Sequence, residues 1–369
     1  MRLDFFPSRT LTLYLAKMFI VRIAAVLVML ITVLMALDLL SNSGKIMAVE
    51  GNGQAEILTY LSLRIPQMIA RFLPYSVLLA TIITLAGLNA NSEVIAMKAS
   101  GLSAHQVLAP LILTATVIAG LSFAFNERVV TRAAATLEAW KAVDFGEVPT
   151  DDGLKRNIYM RSDNAVLYAR IAGGRGEDTV MRGVTWYELD PNGMLTSEIR
   201  AERATYAAPG WRLENAQIFR VASASETVVE DAADAPVVGT DIGPEEVGIE
   251  NVDGEAETLA QLADSIEALE AAGKRTDELR AIWWHKISGP MAAILMPLLG
   301  AVAAFGLARS GQLFLRAVIG MSLGFAYFVV DNAALAIGNF GGYPPLLAAW
   351  APFVLFALVG ETVLIRTEE

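Results

Sequence analysis

The residues of this 369-residue chain that could do chemistry are few and widely spaced. It has two histidines, His105 and His285, and no cysteine. Without a thiol there is no disulfide framework, thiolate zinc site or cysteine nucleophile. Gly44-Lys45 and Gly273-Lys274 lack the upstream glycine and the following Ser/Thr of a phosphate-binding loop, so the chain is not expected to hydrolyse nucleotide. No H-E-x-x-H occurs, and no metal site is expected. What remains is charge in unusual places. Asp38, Arg71 and Asp331 lie in otherwise apolar runs, as do Arg22 and Glu361 nearer the run ends. An ionisable group there is costly in lipid, so each either pairs within the protein, snorkels or touches a polar substrate. Lys45, Arg128, Arg132 and Lys141 sit just beyond apolar runs and are the basic candidates outside them. These are the means of binding and moving something rather than of catalysis.

One short segment carries a second kind of signal, Asn91-Ser92-Glu93-Val94-Ile95-Ala96-Met97-Lys98-Ala99-Ser100-Gly101. Asn91 or Ser92 can cap a helix, Glu93 suits its N-terminal dipole end, and Gly101 can stop it. Val94, Met97 and Lys98 recur at i, i+3 and i+4 and share a face. A helix of two to three turns needs something to dock on. It either lies on lipid headgroups or sits in a groove of a cytoplasmic partner.

The elements that must position these groups are membrane spans. The chain is 54% hydrophobic and only 18% charged, against about 45–50% and 25% for a soluble domain. Six runs reach the roughly 20 residues a span needs: Met18–Leu40, Ile65–Leu88, Val107–Ala124, Ile287–Ala308, Ala317–Ile337 and Leu346–Ile365. The first is too long for the core of a cleaved signal and reads as a retained helix. The basic residues Arg2, Arg9, Lys17, Lys98, Arg309, Arg316 and Arg366 fall on one side if both termini are cytoplasmic, whereas the opposite short loops offer little beyond Lys45. This gives residues 1–126 as spans one to three with the 91–101 helix, 127–280 as an outer domain, and 281–369 as spans four to six. In a diderm bacterium the outer domain is periplasmic. Residues 127–280 carry 16 Lys/Arg against 30 Asp/Glu, and the rest of the chain 12 against 9, so the acidity belongs to that domain.

The domain reads as β. Asn157–Ser162, Ala165–Ile171, Thr179–Leu189, Met194–Tyr206 and Trp211–Val221 are rich in β-branched and aromatic residues, with turn signals at Asp190-Pro191-Asn192-Gly193 and Pro209-Gly210. Consecutive strands and tight turns predict antiparallel pairing, in a sandwich or jelly roll. Tyr159, Val166, Tyr168, Val184, Trp186 and Ile218 then either seal a core or line an apolar groove. Acidic Ala224–Gly248 is expected to be a loop. Helices Glu127–Val143 and Thr258–Ala272 flank the strands, the second ended by Gly273. Trp283, Trp284 and Lys286 read as an interfacial anchor for span four.

Two sets of stretches stand out. The first half has Leu73-Pro74 through Leu88, then Ser92-Glu93 and Ala99-Ser100-Gly101. The second half has Trp284-His285-Lys286 with Pro290, Arg316-Ala317-Val318 with Gly324-Phe325 and Asp331, and Gly342-Tyr343-Pro344-Pro345. Together they resemble the lipopolysaccharide-export permease family of ABC transporters. The order of elements is also similar, and the G-type subunit is the nearer match. The resemblance implies a six-helix bundle with an inserted periplasmic antiparallel jelly-roll-like domain, in the bacterial inner membrane. It implies a non-catalytic permease paired with an F-type permease and a homodimeric cytoplasmic ATPase, with ATP and Mg on the ATPase. Lipopolysaccharide would pass from the membrane to a periplasmic β bridge protein, and no nucleic acid is involved. It makes Ser92–Gly101 the ATPase-coupling helix, with Glu93 as the charged contact. It also places spans one and five at lateral gates, so Gly320 and Gly324, a G-x-x-x-G, and Asp331 either pack a moving interface or pack within one subunit. G-type members carry lysines near the outer end of span one, but Met35–Gly44 here has none and only Lys45 lies beyond. The rival readings are a permease for another lipid and a membrane scaffold that moves nothing.

Overall fold

The computed structural model describes residues 7–142, 144–146, 155–162, 164–173, 178–191, 194–223, 226–231, 236–240, 242–243, 247, 253–271, 274–305 and 313–368. Two compact units emerge, one of Met1–Leu137, Gly254–Leu262 and Arg275–Glu369, the other of Glu138–Asp253 and Ala263–Lys274.

The first unit is a helical bundle, and six of its helices are long and apolar enough to cross a membrane. They are α1 (Arg9–Met47), α2 (Gln54–Ala90), α4 (Ala104–Phe125), α7 (Asp277–Phe305), α8 (Leu313–Asn339) and α9 (Pro345–Glu368), with the short α3 (Glu93–Ala99) between α2 and α4. The chain is thus a multi-pass membrane protein. Helix α1 runs about 58 Å at ~1.5 Å per residue, well past the roughly 30 Å of hydrocarbon it must cross. Ser8 caps it, its Oγ accepting from the Leu11 amide at 3.4 Å. Helix α2 starts eleven residues before the apolar run at Ile65, because the Glu56 carboxylate reaches back to accept the Gly53 amide at 2.7 Å, one half of a capping box.

Helix α7 is the hub, touching α2, α4, α8 and α9. Its buried face mixes small residues, Ala292, Ala293 and Ala301, with the larger Leu295, Met296 and Leu299. A Cβ on Gly300 would lie 2.7 Å from Thr81 Cγ2, so the missing side chain sets how closely α7 and α2 approach. Lys286, expected at the interface, is only 7% exposed. Its ammonium donates to the Glu255 carbonyl at 3.3 Å, and Trp283 Nε1 donates to the Leu259 carbonyl at 3.1 Å. These two side chains hold the Gly254–Leu262 segment to the bundle. Glu127 helps from another direction, one oxygen accepting the Leu259 amide at 2.9 Å. Helix α4 continues through a π-helical turn at Asn126–Val130 into α5 (Thr131–Ala142), as one rod. Residue 143, where that helix was expected to end, lies outside the described residues.

The second unit is built on one antiparallel sheet: β1 (Lys155–Ser162), β2 (Ala165–Gly173), β3 (Val180–Leu189), β4 (Leu195–Ala207), β5 (Gly210–Ser223), β6 (Glu226–Asp231) and β7 (Val237–Val238). Strands β1 to β6 pair in sequence order as a curled meander, and β7 pairs β5 beyond the end of β6. The expected loop Ala224–Gly248 is therefore partly strand, because Thr227-Val228-Val229 has the β-branched side chains to extend the sheet. Much of that loop, with Asn192-Gly193 and Gly273, lies outside the described residues. Helix α6 (Leu259–Ala271) begins in a capping box between Thr258 and Gln261.

One face of the sheet buries a core of Leu167, Met181, Trp186, Ile199, Trp211 and Leu213, among others. Val238, Ile242 and Val247 help to cover it. Gly239 sits so close that a Cβ would meet Trp186 at 3.3 Å, and Trp211 Nε1 donates to the Ile242 carbonyl at 3.0 Å. Alternation breaks once in each of four strands. Arg170-Ile171, Arg182-Gly183, Glu202-Arg203 and Glu214-Asn215 are consecutive unburied pairs between buried residues. Register places Ile171 opposite Arg182, Arg182 opposite Arg203, and Arg203 opposite Glu214, so the breaks form one row. Gly183 and Asn215 take left-handed φ of 62° and 54° in that row. A break shared by neighbouring strands bends the sheet along a line without changing its register, which suits a sheet that curls over its own core.

Candidate functional site

Helix α3 is anchored on one side and presented on the other. Val94 and Met97 are buried in the bundle core, whereas Ile95 is 66% exposed and Lys98 also faces outward. The expected face of Val94, Met97 and Lys98 is thus divided, with the two apolar residues holding the helix to α2 and α4. The outward face is Ile95, Ala96, Lys98 and Ala99, with Glu93 at its edge. Ser92 adopts φ 59° and makes no side-chain cap bond. Instead Asn91 Nδ2 donates to Glu93 Oε1 at 3.4 Å, and Tyr14 Oη donates to Oε2 at 3.2 Å. The carboxylate is therefore oriented by both its own loop and α1. Gly101, at φ 89°, closes the helix as expected for a glycine stop, with the Leu102 amide bonded back to the Met97 carbonyl at 3.2 Å.

The ionisable residues within the spans mostly find partners. Asp38 accepts from Tyr60 Oη at 2.6 Å and from Arg64 Nη2 at 3.2 Å, tying α1 to α2. Arg64 also donates to Gln67 Oε1 at 2.9 Å. Asp331, 7% exposed, lies 3.1 Å from His285 Nε2, and Glu361 lies 2.9 Å from His105 Nε2. Arg22 donates to the Ile83 carbonyl at 3.2 Å and lies over Gly87, where a Cβ would meet its guanidinium at 3.1 Å. Arg71 differs: its side chain is exposed and makes no hydrogen bond or ion pair among the described residues. It follows Arg64 by seven residues, so both guanidinium groups rise from one stripe of α2. Four residues on is Tyr75, its ring stacked on Phe328 of α8 at 3.7 Å.

The other basic candidates do not converge. Lys45 is exposed in the last turn of α1, Arg128 and Arg132 are exposed one turn apart on the α4–α5 rod, and Lys141 pairs with Glu138 at 2.7 Å. Gly324 faces its own bundle, where a Cβ would come within 2.1 Å of Leu78 Cδ2; Gly320 is buried as well. Gly320-Met321-Ser322-Leu323-Gly324 also spells the G-x-S-x-G of a nucleophile elbow. That motif works on a strand-to-helix turn, and α8 runs through it as unbroken helix, so Ser322 is not a presented nucleophile.

The aromatic candidates of the sheet separate by face. Trp186 and Val184 point into the core, with Ile218 packed against it. Tyr159 and Tyr168 occupy the outward face, directly opposite each other with ring centroids 4.8 Å apart, and Val166 lies beside them. They cannot line an interior groove in this arrangement, because β alternation sends them to the other side.

A family model described as the lipopolysaccharide export system permease LptF/LptG matches residues 13–366, spanning both the bundle and the β unit. The chain is 26% identical over 349 residues to the lipopolysaccharide export system permease protein LptG of Escherichia coli strain K12, covering 91% of this chain and 95% of that protein. It is 23% identical over 308 residues to the LptG of Haemophilus influenzae, covering 83% and 84%.

Proposed function

The chain belongs to the lipopolysaccharide export system permease LptF/LptG family, on its LptG side, and on that premise we propose that it is a permease subunit of a lipopolysaccharide-exporting ABC transporter. The observation that carries this reading is the extent of the family match, which runs through all six spans and the sheet together. The protein lies in the inner membrane with both termini cytoplasmic and the β unit in the periplasm. It pairs with an F-type permease on a homodimeric cytoplasmic ATPase. ATP and Mg belong to that ATPase, and this chain holds no cofactor and catalyses no bond-breaking step.

Helix α3 is the coupling element. Its outward Ile95, Lys98 and Glu93 meet the ATPase, while buried Val94 and Met97 transmit the push to α2 and α4. Closure of the ATPase dimer on ATP favours one arrangement of the spans, and a ligand shifts such an equilibrium only through its differential affinity for the two states. The cavity between the permeases narrows and lipid is expelled toward the β unit, whose core-side residues Trp186 and Val184 meet acyl chains when the sheet opens at an edge. From there it goes to a periplasmic β bridge protein, joined by strand addition. Arg71, exposed on α2, faces the polar part of the lipid. No lysine lies between Met35 and Gly44, which favours a substrate with fewer head-group phosphates, or a clamp supplied by the partner permease.

The test is co-purification from detergent-solubilised membranes, followed by ATPase assay with added lipopolysaccharide. Wild type is expected to bring down an ATPase and a second permease, and Glu93→Lys to lose the ATPase. If wild type captures no ATPase, the transporter reading fails. If dephosphorylated and phosphorylated lipid A stimulate equally, the head group is not read through phosphate.

A further inference from the structure

The outward face of the sheet carries aromatic rings where an ordinary solvated face would carry Thr, Lys and Glu. Tyr159 of β1 is 53% exposed and pairs with Tyr168 of β2. Tyr187 of β3 follows two residues beyond Thr185, the partner of Tyr168, so it is the diagonal neighbour on the same face. Arg200 of β4, which pairs Thr185, lies over the Phe219 ring of β5 at 5.0 Å and is joined to Glu198 by an ion pair. Five strands therefore contribute one ring or guanidinium plane each to a band that crosses the strands, no member more than two residues off one line. At about 4.8 Å per strand the band is roughly 19 Å long, the length of several sugar rings. None of its rings belongs to the core cluster on the other face.

We propose that this band is a carbohydrate platform for the glycan of the exported lipopolysaccharide, an inference that rests on the permease reading. Three features select a sugar. Aromatic faces are apolar and flat, matching the C–H faces of pyranose rings, while the tyrosine hydroxyls, Arg200 and Glu198 supply hydrogen bonds at the ring edges. An acyl chain would stay half wetted on an open sheet face, whereas a sugar already carries its own polar rim. The glycan is also covalently bound to the lipid, so any route that takes the acyl chains past the β unit takes the sugars past it too. Inward Trp186 and outward Tyr159 would thus serve the two halves of one amphiphile.

The experiment places a photo-crosslinking benzoyl-phenylalanine at Tyr159, Tyr187 or Trp186 of the full chain, assembled with its partners in membranes. The lipids supplied are full-core lipopolysaccharide or lipopolysaccharide truncated to its innermost sugars. Positions 159 and 187 are expected to capture the full-core lipid and to lose most of that yield on truncation, while position 186 captures both. Equal yields with both lipids at 159 and 187, or crosslinks there to polypeptide only, would overturn the platform and make the band a protein-docking face. Capture of no lipid at any position, 186 included, would instead count against the permease reading. In a second measurement, wild type should need several-fold less full-core than truncated lipid for half-maximal ATPase stimulation. Tyr159→Ala/Tyr187→Ala should abolish that preference; a preference that survives, or is absent from wild type, also overturns the proposal.

Discussion

In the bundle, ionisable side chains are held one or two at a time: Asp38 with Tyr60 and Arg64, His285 with Asp331, His105 with Glu361. In the sheet, Arg170, Arg182, Glu202, Arg203 and Glu214 stand together in one outward row. The difference follows from the surroundings. A charge inside a span has no water to fall back on, so its single partner matters. A charge on the sheet's outward face has water on most sides, and its neighbours add little. Apolar groups show the reverse. The bundle leaves Leu13, Val28, Leu40, Phe325 and Leu358 exposed toward lipid or a partner, whereas the sheet gathers Trp186, Trp211 and most of its large aliphatic residues on one face and keeps only a band of aromatic rings on the other.

The largest break in this comparison is expected from Trp211→Ala. That side chain is fully buried and bonded to the Ile242 carbonyl, and its loss should destabilise the β unit by about 3–5 kcal/mol. Hydrogen exchange should speed up in β4 and β5 while α2 and α7 stay protected; equal loss in both units would show that they do not fold separately. Next comes Asp38→Leu, which strands the Arg64 guanidinium and should cost about 2–3 kcal/mol, somewhat less than a fully buried pair. Adding Arg64→Leu should recover most of that in a thermal-unfolding cycle, and additivity of the two changes would refute the pairing. Gly324→Val should cost about 1–3 kcal/mol by overpacking, and Leu78→Ala should partly restore it if the clash is with that side chain. The smallest effect is expected from Arg203→Ala in the outward row, within about 0.5 kcal/mol; a larger loss would mean that the row is a true network.

Much of this was legible in the sequence. Runs of apolar residues marked all six spans, since lipid demands about 20 such residues in a row, and β-branched runs between turn signals marked the five main strands. Helix ends were legible at some places and not at others: Gly101 stops α3 as its type suggests, but the first turns of α2 are polar and are set by the contact of Glu56 with the Gly53 amide. Face assignments were half legible. Period two groups Tyr168 with Val166 and Trp186 with Val184 without saying which pair is inside. Spacing likewise groups Val94, Met97 and Lys98, yet tertiary anchoring takes the first two inward and leaves the third outside. Partners were the least legible. His285 and Asp331 are 46 positions apart and His105 and Glu361 are 256 apart, and no local pattern links residues so distant. Glu127, which ties the α4–α5 rod to the first residue of α6, looked like one acidic residue among many.

The row of paired outward residues across β2 to β5 also bears on how the sheet finds its alignment. Each strand has one place where two neighbours must both stay out of the core. A strand that slipped by one residue would bring Arg182 toward the place of Met181, or Glu214 toward that of Leu213, and would bury a charge opposite apolar side chains. In a meander of long strands, where a uniform pattern tolerates slippage by two, such a mark cannot be satisfied by any register but the native one. The four breaks act as a vernier, a fault in the pattern that proofreads its pairing during folding.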